Sequence, residues 1–206
     1  MKTILFQGDS ITDASRLKDD ETDLGTGYPL LVTAELGLES PENYKFINKG
    51  ISGNRVVDLY ARIKSDIINL KPDIMSILIG VNDVWHEVRH QNGVETDKYF
   101  SIYSMLIEEI KAELPDIKIM ILEPFVLQGT ATTKEWEIFR TEVEKRAAKA
   151  KEISEKYGLV FVPLQEKFDE AAKKTSPDYW LSDGVHPTPV GHELIKREWV
   201  KAFNNL

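Results

Sequence analysis

The sequence predicts an α/β protein in which a doubly wound sheet of parallel strands is covered by helices on both faces. Five short apolar runs rich in β-branched residues are typical of buried strands, and segments with helical periodicity lie between them. Strands and helices alternate at intervals of roughly 40 residues, an order that favours right-handed crossovers. Because no linker rich in proline, glycine or serine and no repeat interrupts this order, we expect one domain over residues 1–206.

The apolar runs define the expected strands. Sequences such as MSILIG and IKIMILEP lack the strict alternation of a strand with one face in water. Their two-sided apolar character is typical of strands covered by helices on both faces, which predicts a parallel sheet. The five expected strands are Thr3 to Gln7, Tyr44 to Asn48, Ile74 to Ile79, Ile117 to Leu122 and Leu159 to Pro163.

Crossover helices are expected where apolar residues recur every three or four positions, within residues 56–67, 99–114 and 139–153. The final helix has clear start signals, because Thr188 can cap it and Pro189 suits its first turn. Its apolar stripe consists of Leu194, Ile195, Trp199 and Phe203. We expect this helix to close the domain.

The composition narrows the classes of partner. The chain has 26 lysine and arginine residues against 34 aspartate and glutamate residues, a formal net charge of −8 with the charges scattered. This balance disfavours a nucleic acid or an anionic membrane as partner, so we expect a small-molecule substrate. A content of 42% hydrophobic and 29% charged residues fits a globular protein, and a homo-oligomer is compatible with it.

The absence of cysteine narrows the chemistry. With no cysteine, disulfides, thiol nucleophiles and thiolate metal sites are excluded, so a nucleophile must be a hydroxyl, carboxylate or amine. The first residues, MKTILFQGDS, contain only Ile4 to Phe6 as a continuous apolar run, which is far shorter than a signal peptide requires. We therefore expect a cytoplasmic protein.

Polar and glycine-containing blocks follow the expected strands. GDSIT at residues 8–12 follows the first strand, NKGISGN at 48–54 the second and GVND at 80–83 the third. SDGVHP at 182–187 lies beyond the fifth. Because the carboxyl ends of parallel strands meet at one edge of a sheet, we expect these four blocks to converge there.

The converging blocks contain candidates for every role in acyl transfer. Ser10, on a tight turn between strand and helix, is the candidate nucleophile, and His186 is the candidate base that takes its proton. Asp183, three residues before His186, can hold the imidazole in the required tautomer. The backbone N–H groups of Ser10 and Gly53 and the side-chain amide of Asn82 are candidate donors to the oxyanion.

These four blocks, in this order, resemble the SGNH hydrolases, also called GDSL-type esterases and lipases. The resemblance covers the whole chain and implies a three-layer α/β/α sandwich with a flavodoxin-like sheet of about five parallel strands. It implies hydrolysis of small acyl esters through an acyl-serine intermediate, without cofactor or metal. GISGN followed by Arg55, and NDVW ending at Trp85, are most similar to bacterial acetylxylan esterases and related carbohydrate deacetylases, which implies an acetylated sugar as substrate.

Four further residues are candidates for the substrate site. Trp85 and Trp180 could form an aromatic wall against which a sugar ring packs. Phe125 belongs to an apolar loop after the fourth strand, at residues 124–129, that could hold an acyl chain. Asp9 is expected to bond backbone amides beside the nucleophile and to line the substrate site.

The sequence leaves three alternative functions open. A lysophospholipase or thioesterase would use the same chemistry but needs an open apolar groove. Residues 86–90 fit H-E-x-x-H, the zinc-protease signature. Thr96, however, stands where the extended form of this signature has a third histidine. The helix that carries the metal ligands would also have to begin in the expected loop around Asn82. A non-catalytic binding domain could share the fold. We interpret His192, on the final helix, as a surface or packing residue.

Overall fold

A five-stranded parallel sheet forms the centre of the molecule. The computed structural model describes residues 1–206. The strands lie in the spatial order β2-β1-β3-β4-β5, and every neighbouring pair is parallel. Their bounds are β1 Lys2–Gly8, β2 Tyr44–Asn48, β3 Ile74–Leu78, β4 Lys118–Leu122 and β5 Val160–Val162. The five predicted strands are confirmed, and no strand end differs from the prediction by more than one residue.

Two hydrophobic cores cover the two faces of the sheet. Along β1, Ile4 and Phe6 lie in one core and Leu5 lies in the other, because successive side chains of a strand point to opposite faces. All five residues of β3, the central strand, are buried. The two-sided apolar runs of the sequence therefore reflect burial on both faces, and the predicted three-layer α/β/α architecture is confirmed.

Nine α-helices surround the sheet. Their bounds are α1 Ser10–Asp13, α2 Tyr28–Glu39, α3 Val56–Ala61, α4 Ile63–Asp66, α5 Val81–His90, α6 Thr96–Glu113, α7 Trp136–Tyr157, α8 Gln165–Ala172 and α9 Pro189–Phe203, with short 3-10 helices at Ile68–Leu70, Thr133–Glu135 and Pro177–Tyr179. Helices α2 and α9 contribute to one core, and α3 and α6 contribute to the other. None of the helices combines the length and the apolar character that a bilayer-spanning segment requires.

The helices differ from the sequence-based expectation at several points. The expected helix within residues 56–67 is divided into α3 and α4, and helices α2, α5 and α8 were not expected. Helix α5 places Asn82 in its first turn, so the expectation of a loop around Asn82 is wrong. Its apolar residues do follow helical spacing, at Val81, Val84, Trp85 and Val88. For α9, Thr188 accepts a hydrogen bond from the Gly191 N–H, as a capping residue does.

Candidate active site

The candidate triad lies at the carboxyl edge of the sheet. Ser10 and His186, which are 176 residues apart in the sequence, meet with 2.9 Å between Ser10 Oγ and His186 Nε2. The Nδ1 atom of His186 lies 2.7 Å from Asp183 Oδ2. The other carboxylate oxygen of Asp183 accepts hydrogen bonds from the backbone N–H groups of Val185 and His186. The three candidate residues thus form a continuous hydrogen-bonded chain.

The hydrogen-bonded pair of Asp183 and His186 determines which ring nitrogen of His186 carries the hydrogen. Burial alone would raise the pKa of Asp183, but hydrogen bonds from the His186 ring and from the two backbone amides outweigh it and lower that pKa to about 2. The hydrogen bond to Asp183 raises the pKa of His186, and partial burial opposes the rise. Since an ionised Asp183 can only accept, His186 donates Nδ1–H to it, and Nε2 is left to accept from the Ser10 hydroxyl.

The turn between β1 and α1 positions Ser10. Asp9 caps α1, and its Oδ1 atom accepts a hydrogen bond of 3.0 Å from the Ile11 N–H. A Cβ atom on Gly8 would lie 2.4 Å from the Leu78 carbonyl oxygen, so only glycine fits between the two strands at this point. The turn therefore holds Ser10 at the first residue of α1, where its backbone N–H has no partner within the helix.

The structure shows one of the two roles that are expected of Asp9. The hydrogen bond to Ile11 confirms that it bonds a backbone amide beside Ser10. Asp9 is only 1% exposed, so its burial does not favour contact with the substrate, and its place in the substrate site stays a prediction. Burial is also the main reason why the pKa of Asp9 rises to about 7.

The candidate oxyanion donors come from α1, α5 and the loop between β2 and α3. Asn82 is 5% exposed, and its Nδ2 atom donates a hydrogen bond of 3.1 Å to the Asn54 carbonyl oxygen. A primary amide has two N–H groups, so one remains for a ligand. Gly53 has a φ of +82°, a conformation that a side chain disfavours. An added Cβ atom there would meet only His86 Nε2, at 3.9 Å, so the backbone conformation, and not crowding, requires the glycine.

The loop that carries Gly53 is anchored to α1 and to the turn that follows it, in part by Asp13 and Arg16, which were not expected to contribute to the site. Asp13 Oδ2 accepts hydrogen bonds from the Ser52 N–H, at 2.9 Å, and from the Ser52 hydroxyl, at 3.0 Å. Arg16 Nε donates to the Gly50 carbonyl oxygen, at 3.0 Å, and the Asn48 amide donates to the Thr12 carbonyl oxygen, at 2.7 Å. The loop is thus bonded to the helix of the nucleophile on one side and to Asn82 on the other. Polar residues close behind the GDS block were the available signal.

Trp85 is the one expected aromatic residue that lies at the triad. Its ring centroid is 5.7 Å from that of His186, and it also packs edge-on against Phe139. The side chain is half-buried, so it forms a wall beside His186 that is partly open to a ligand.

Trp180 and Phe125 do not lie in the triad cavity. Trp180 lines a separate cavity beside α8 and α9 to which neither Ser10 nor His186 contributes. Phe125 is fully buried and stacks on Phe168 with 4.3 Å between the ring centroids. Neither placement favours contact with the substrate, so the substrate-binding roles of Trp180 and Phe125 stay predictions.

A cavity of about 360 Å³ opens directly at the triad. Its lining is mainly polar and consists of Ser10, Ala14, Ser15, Thr26, Ser52, His186, Pro187 and His192. His192, which was interpreted from the sequence as a surface or packing residue, is thus one of the residues that line this cavity. A cavity of this size and polarity suits a small hydroxylated ligand better than a long acyl chain.

The H-E-x-x-H segment is part of α5 but does not form a metal-ligand set. The carboxylate of Glu87 accepts a hydrogen bond from the Gly93 N–H. No group of three or more histidine, aspartate or glutamate side chains is arranged to hold a metal ion. His86 instead lies beside Gly53, at the rim of the candidate site.

Comparisons with known proteins agree with this geometry. The GDSL-like Lipase/Acylhydrolase family matches residues 6–194. An acetylxylan esterase from Geobacillus stearothermophilus is 36% identical to this chain, across 97% of this chain and 96% of the relative. A solved structure of a protein named as a GDSL-like lipase from Parabacteroides merdae has a TM-score of 0.92 and 37% identity, covering 98% of this chain and 95% of that one. The solved structure of Axe2, an acetylxylan esterase from G. stearothermophilus, has a TM-score of 0.87 and 34% identity, covering 98% of this chain and 93% of that one.

The order of the four blocks, their convergence at one edge of a five-stranded parallel sheet and these matches lead to one conclusion. The chain belongs to the GDSL-like lipase/acylhydrolase family, the SGNH hydrolases, and is a hydrolase of the esterase type that is related to the acetylxylan esterases.

Proposed function

We propose that this chain is a serine esterase that removes short acyl groups, above all O-acetyl groups from carbohydrates, through an acyl-Ser10 intermediate. The observation that carries the proposal is that the hydrogen-bonded chain of Ser10, His186 and Asp183 opens into a small polar cavity. Relatives named as acetylxylan esterases, which match nearly the whole chain, support the carbohydrate part of the proposal.

In the first half-reaction, Ser10 Oγ attacks the ester carbonyl while its proton passes to His186 Nε2, 2.9 Å away. The carbonyl oxygen becomes an anion and accepts hydrogen bonds from the Ser10 and Gly53 N–H groups and from Asn82. The tetrahedral intermediate then breaks its bond to the leaving alcohol oxygen. His186 returns the proton to that oxygen, which leaves acetyl-Ser10 and a free sugar hydroxyl.

In the second half-reaction, a water molecule takes the place of the departed alcohol. His186 accepts one proton of the water, and the resulting hydroxide attacks the acyl carbon of acetyl-Ser10. Collapse of the second tetrahedral intermediate returns the proton to Ser10 and releases acetic acid, which then loses its proton to the solvent. Because every proton moves between Ser10, His186, water and the alcohol, the scheme calls for neither cofactor nor metal.

The burial of Phe125 favours short acyl groups over long ones. The sequence suggested that residues 124–129 could hold an acyl chain, but Phe125, Val126 and Leu127 are all buried. The cavity at the triad is lined mainly by polar residues. A lysophospholipase or thioesterase needs an open apolar groove, and the surroundings of Ser10 offer less support for one.

A series of esters tests the proposed function. The wild type and Ser10→Ala are compared on 4-nitrophenyl esters from acetyl to octanoyl, on acetylated xylose and on acetylated xylo-oligosaccharides. We expect kcat/KM to fall steeply with acyl length, acetylated sugars to be turned over, and Ser10→Ala to remove both activities. A preference for octanoate with no turnover of acetylated sugars would favour the lipolytic alternative and refute the carbohydrate proposal.

A further inference from the structure

His192 lies at the end of the triad cavity with one ring nitrogen already engaged. Its side chain is 8% exposed, and its Nδ1 atom accepts a hydrogen bond of 3.1 Å from the Tyr28 N–H. A nitrogen that accepts cannot carry a hydrogen, so the hydrogen of a neutral His192 is on Nε2. Tyr28 is the first residue of α2, so the contact between α2 and α9 fixes this tautomer.

The Nε2–H group of His192 has no partner within the protein. No hydrogen bond to Nε2 is formed, and the atom is not sealed in the interior, since His192 lines the cavity together with Ser10 and His186. Burial, and secondarily the nearby charge on His186, lower the pKa of His192 to about 4. At neutral pH the cavity therefore contains a neutral donor that is held in place and unused.

The cavity is placed so that it can hold the leaving alcohol. His186 lines it, and in any hydrolysis through an acyl-serine the same imidazole that takes the Ser10 proton must protonate the leaving oxygen. The leaving group consequently has to lie against His186, and this cavity, which Ser10 and His186 line together, has room for it. The remaining lining residues, among them the exposed Ser15, bring further hydroxyl groups to the same space.

The floor of the cavity is a strained turn that directly follows α1. Ala14 and Ser15 have φ values of 42° and 63°, a conformation that residues with a side chain rarely adopt twice in succession. Thr26 holds the turn, because both its N–H and its hydroxyl donate to the Ala14 carbonyl oxygen, at 2.8 and 3.1 Å. Strain that the surrounding structure maintains in this way is a common property of binding sites.

We propose that His192 is a specificity-determining residue that donates a hydrogen bond from Nε2–H to a hydroxyl or ring oxygen of the leaving alcohol. The cavity it closes is then a subsite for the hydroxylated side of the ester, which makes a polyol or sugar acetate a better substrate than an acetate of a simple alcohol. This inference rests on the proposed esterase function of Ser10, and it deepens that function by assigning the alcohol side of the substrate.

The test compares two acetates that differ in the hydroxyl groups of the alcohol, glycerol monoacetate and ethyl acetate. The readout is the ratio of their kcat/KM values in the wild type, in His192→Asn and in His192→Gln. Asparagine can still accept from the Tyr28 N–H but has no donor that reaches the cavity, whereas the longer glutamine can extend an amide N–H into it. We expect a ratio that falls about fivefold in His192→Asn, the usual effect of one neutral hydrogen bond, and that recovers partly in His192→Gln.

His90→Asn is the matched control, because it makes the same substitution at an exposed position on α5. The ratio in this variant should equal that of the wild type. If His192→Asn lowers kcat/KM by the same factor on both acetates, the role of His192 is purely structural. If it lowers kcat/KM on neither, no hydrogen bond is made to the alcohol. Either result overturns the inference.

Two further measurements use the wild type alone. The first separates the inference about His192 from the proposed function, and the second tests the inference even if the variants do not fold. A wild type that hydrolyses both simple acetates but no acetylated sugar refutes the carbohydrate proposal, while the ratio still decides the role of His192. In the wild type, long-range ¹H–¹⁵N spectra at pH 7 should show His192 protonated on Nε2 alone. Protonation on Nδ1 would overturn the inference even if His192→Asn did not fold.

Discussion

At the scale of single residues, the partnership of His186 and Asp183 determines how activity depends on pH. The hydrogen bond to Asp183 holds the pKa of His186 above its ordinary value of 6.5, and a base must be neutral to accept the Ser10 proton. We therefore expect kcat/KM to fall as the pH decreases through that raised pKa, with the midpoint above pH 6.5. Rates on a simple acetate across the pH range measure it, and a rate that stays flat down to about pH 4 would contradict the role of His186.

Asp183→Asn gives a second check on the same pair. Asparagine removes the hydrogen bond and the charge that raise the pKa of His186 and leaves the burial that lowers it. The midpoint should move to lower pH, and kcat should fall on the order of 10⁴-fold, because the imidazole is no longer held in the productive tautomer.

Asn82 permits a test of oxyanion stabilisation. Asn82→Ala removes one candidate donor, and a loss of this kind typically lowers kcat by about 10² to 10³-fold with little change in KM. The exposed side chain of Asn92 offers a control, since Asn92→Ala should leave both constants unchanged. If Asn82→Ala raised KM and spared kcat, Asn82 would bind substrate without stabilising the transition state.

At the scale of elements, the contact between α1 and the loop before α3 determines whether the oxyanion donors converge. Asp13→Ala removes both hydrogen bonds to Ser52 and frees the loop that presents Gly53. We expect kcat to fall by up to about 10²-fold, because a displacement near 1 Å has effects of that size. Ser52→Ala should cost less, since the backbone N–H of residue 52 still bonds Asp13. Steady-state kinetics and circular dichroism on both variants separate displacement of the loop from loss of the fold.

At the scale of the whole molecule, the core beneath the site supports the stability of the sheet. Trp199 on α9 is fully buried, stacks on Phe203 and packs against Phe6 of β1. Trp199→Ala should lower the free energy of unfolding by about 3–5 kcal/mol, as truncation of a large buried side chain does. Urea titration followed by circular dichroism measures this change, and Met105→Ala, at a half-exposed position, is the control with little expected effect.

Some of the predictions for the whole molecule are confirmed, and others stay predictions. The family, the parallel five-stranded sheet and the layers of helices are confirmed. A single domain over residues 1–206, a cytoplasmic location and the catalytic roles of Ser10, His186 and Asp183 stay predictions, the last of them supported by hydrogen bonds of 2.9 and 2.7 Å.

The residues that could be named in advance are those whose chemistry and position follow from local pattern. Ser10, Gly53 and Asn82 were identifiable because each stands in a short block just beyond a strand, and strand order brings such blocks to one edge. Asp183 and His186 lie after α8, and they were identifiable from their spacing within the SDGVHP block. The number of strands and their parallel direction could also be predicted, because five runs of the sequence are apolar on both faces.

Tertiary packing alone decided which further side chains lie at the triad. Trp85, Trp180 and Phe125 are equally plausible as aromatic residues near a motif, yet only Trp85 lies beside His186. His192 entered the site because α2 packs against α9 and occupies one of its ring nitrogens. Periodicity and motifs specify which residues follow a strand, whereas the direction and burial of a side chain depend on distant elements that the local sequence does not encode.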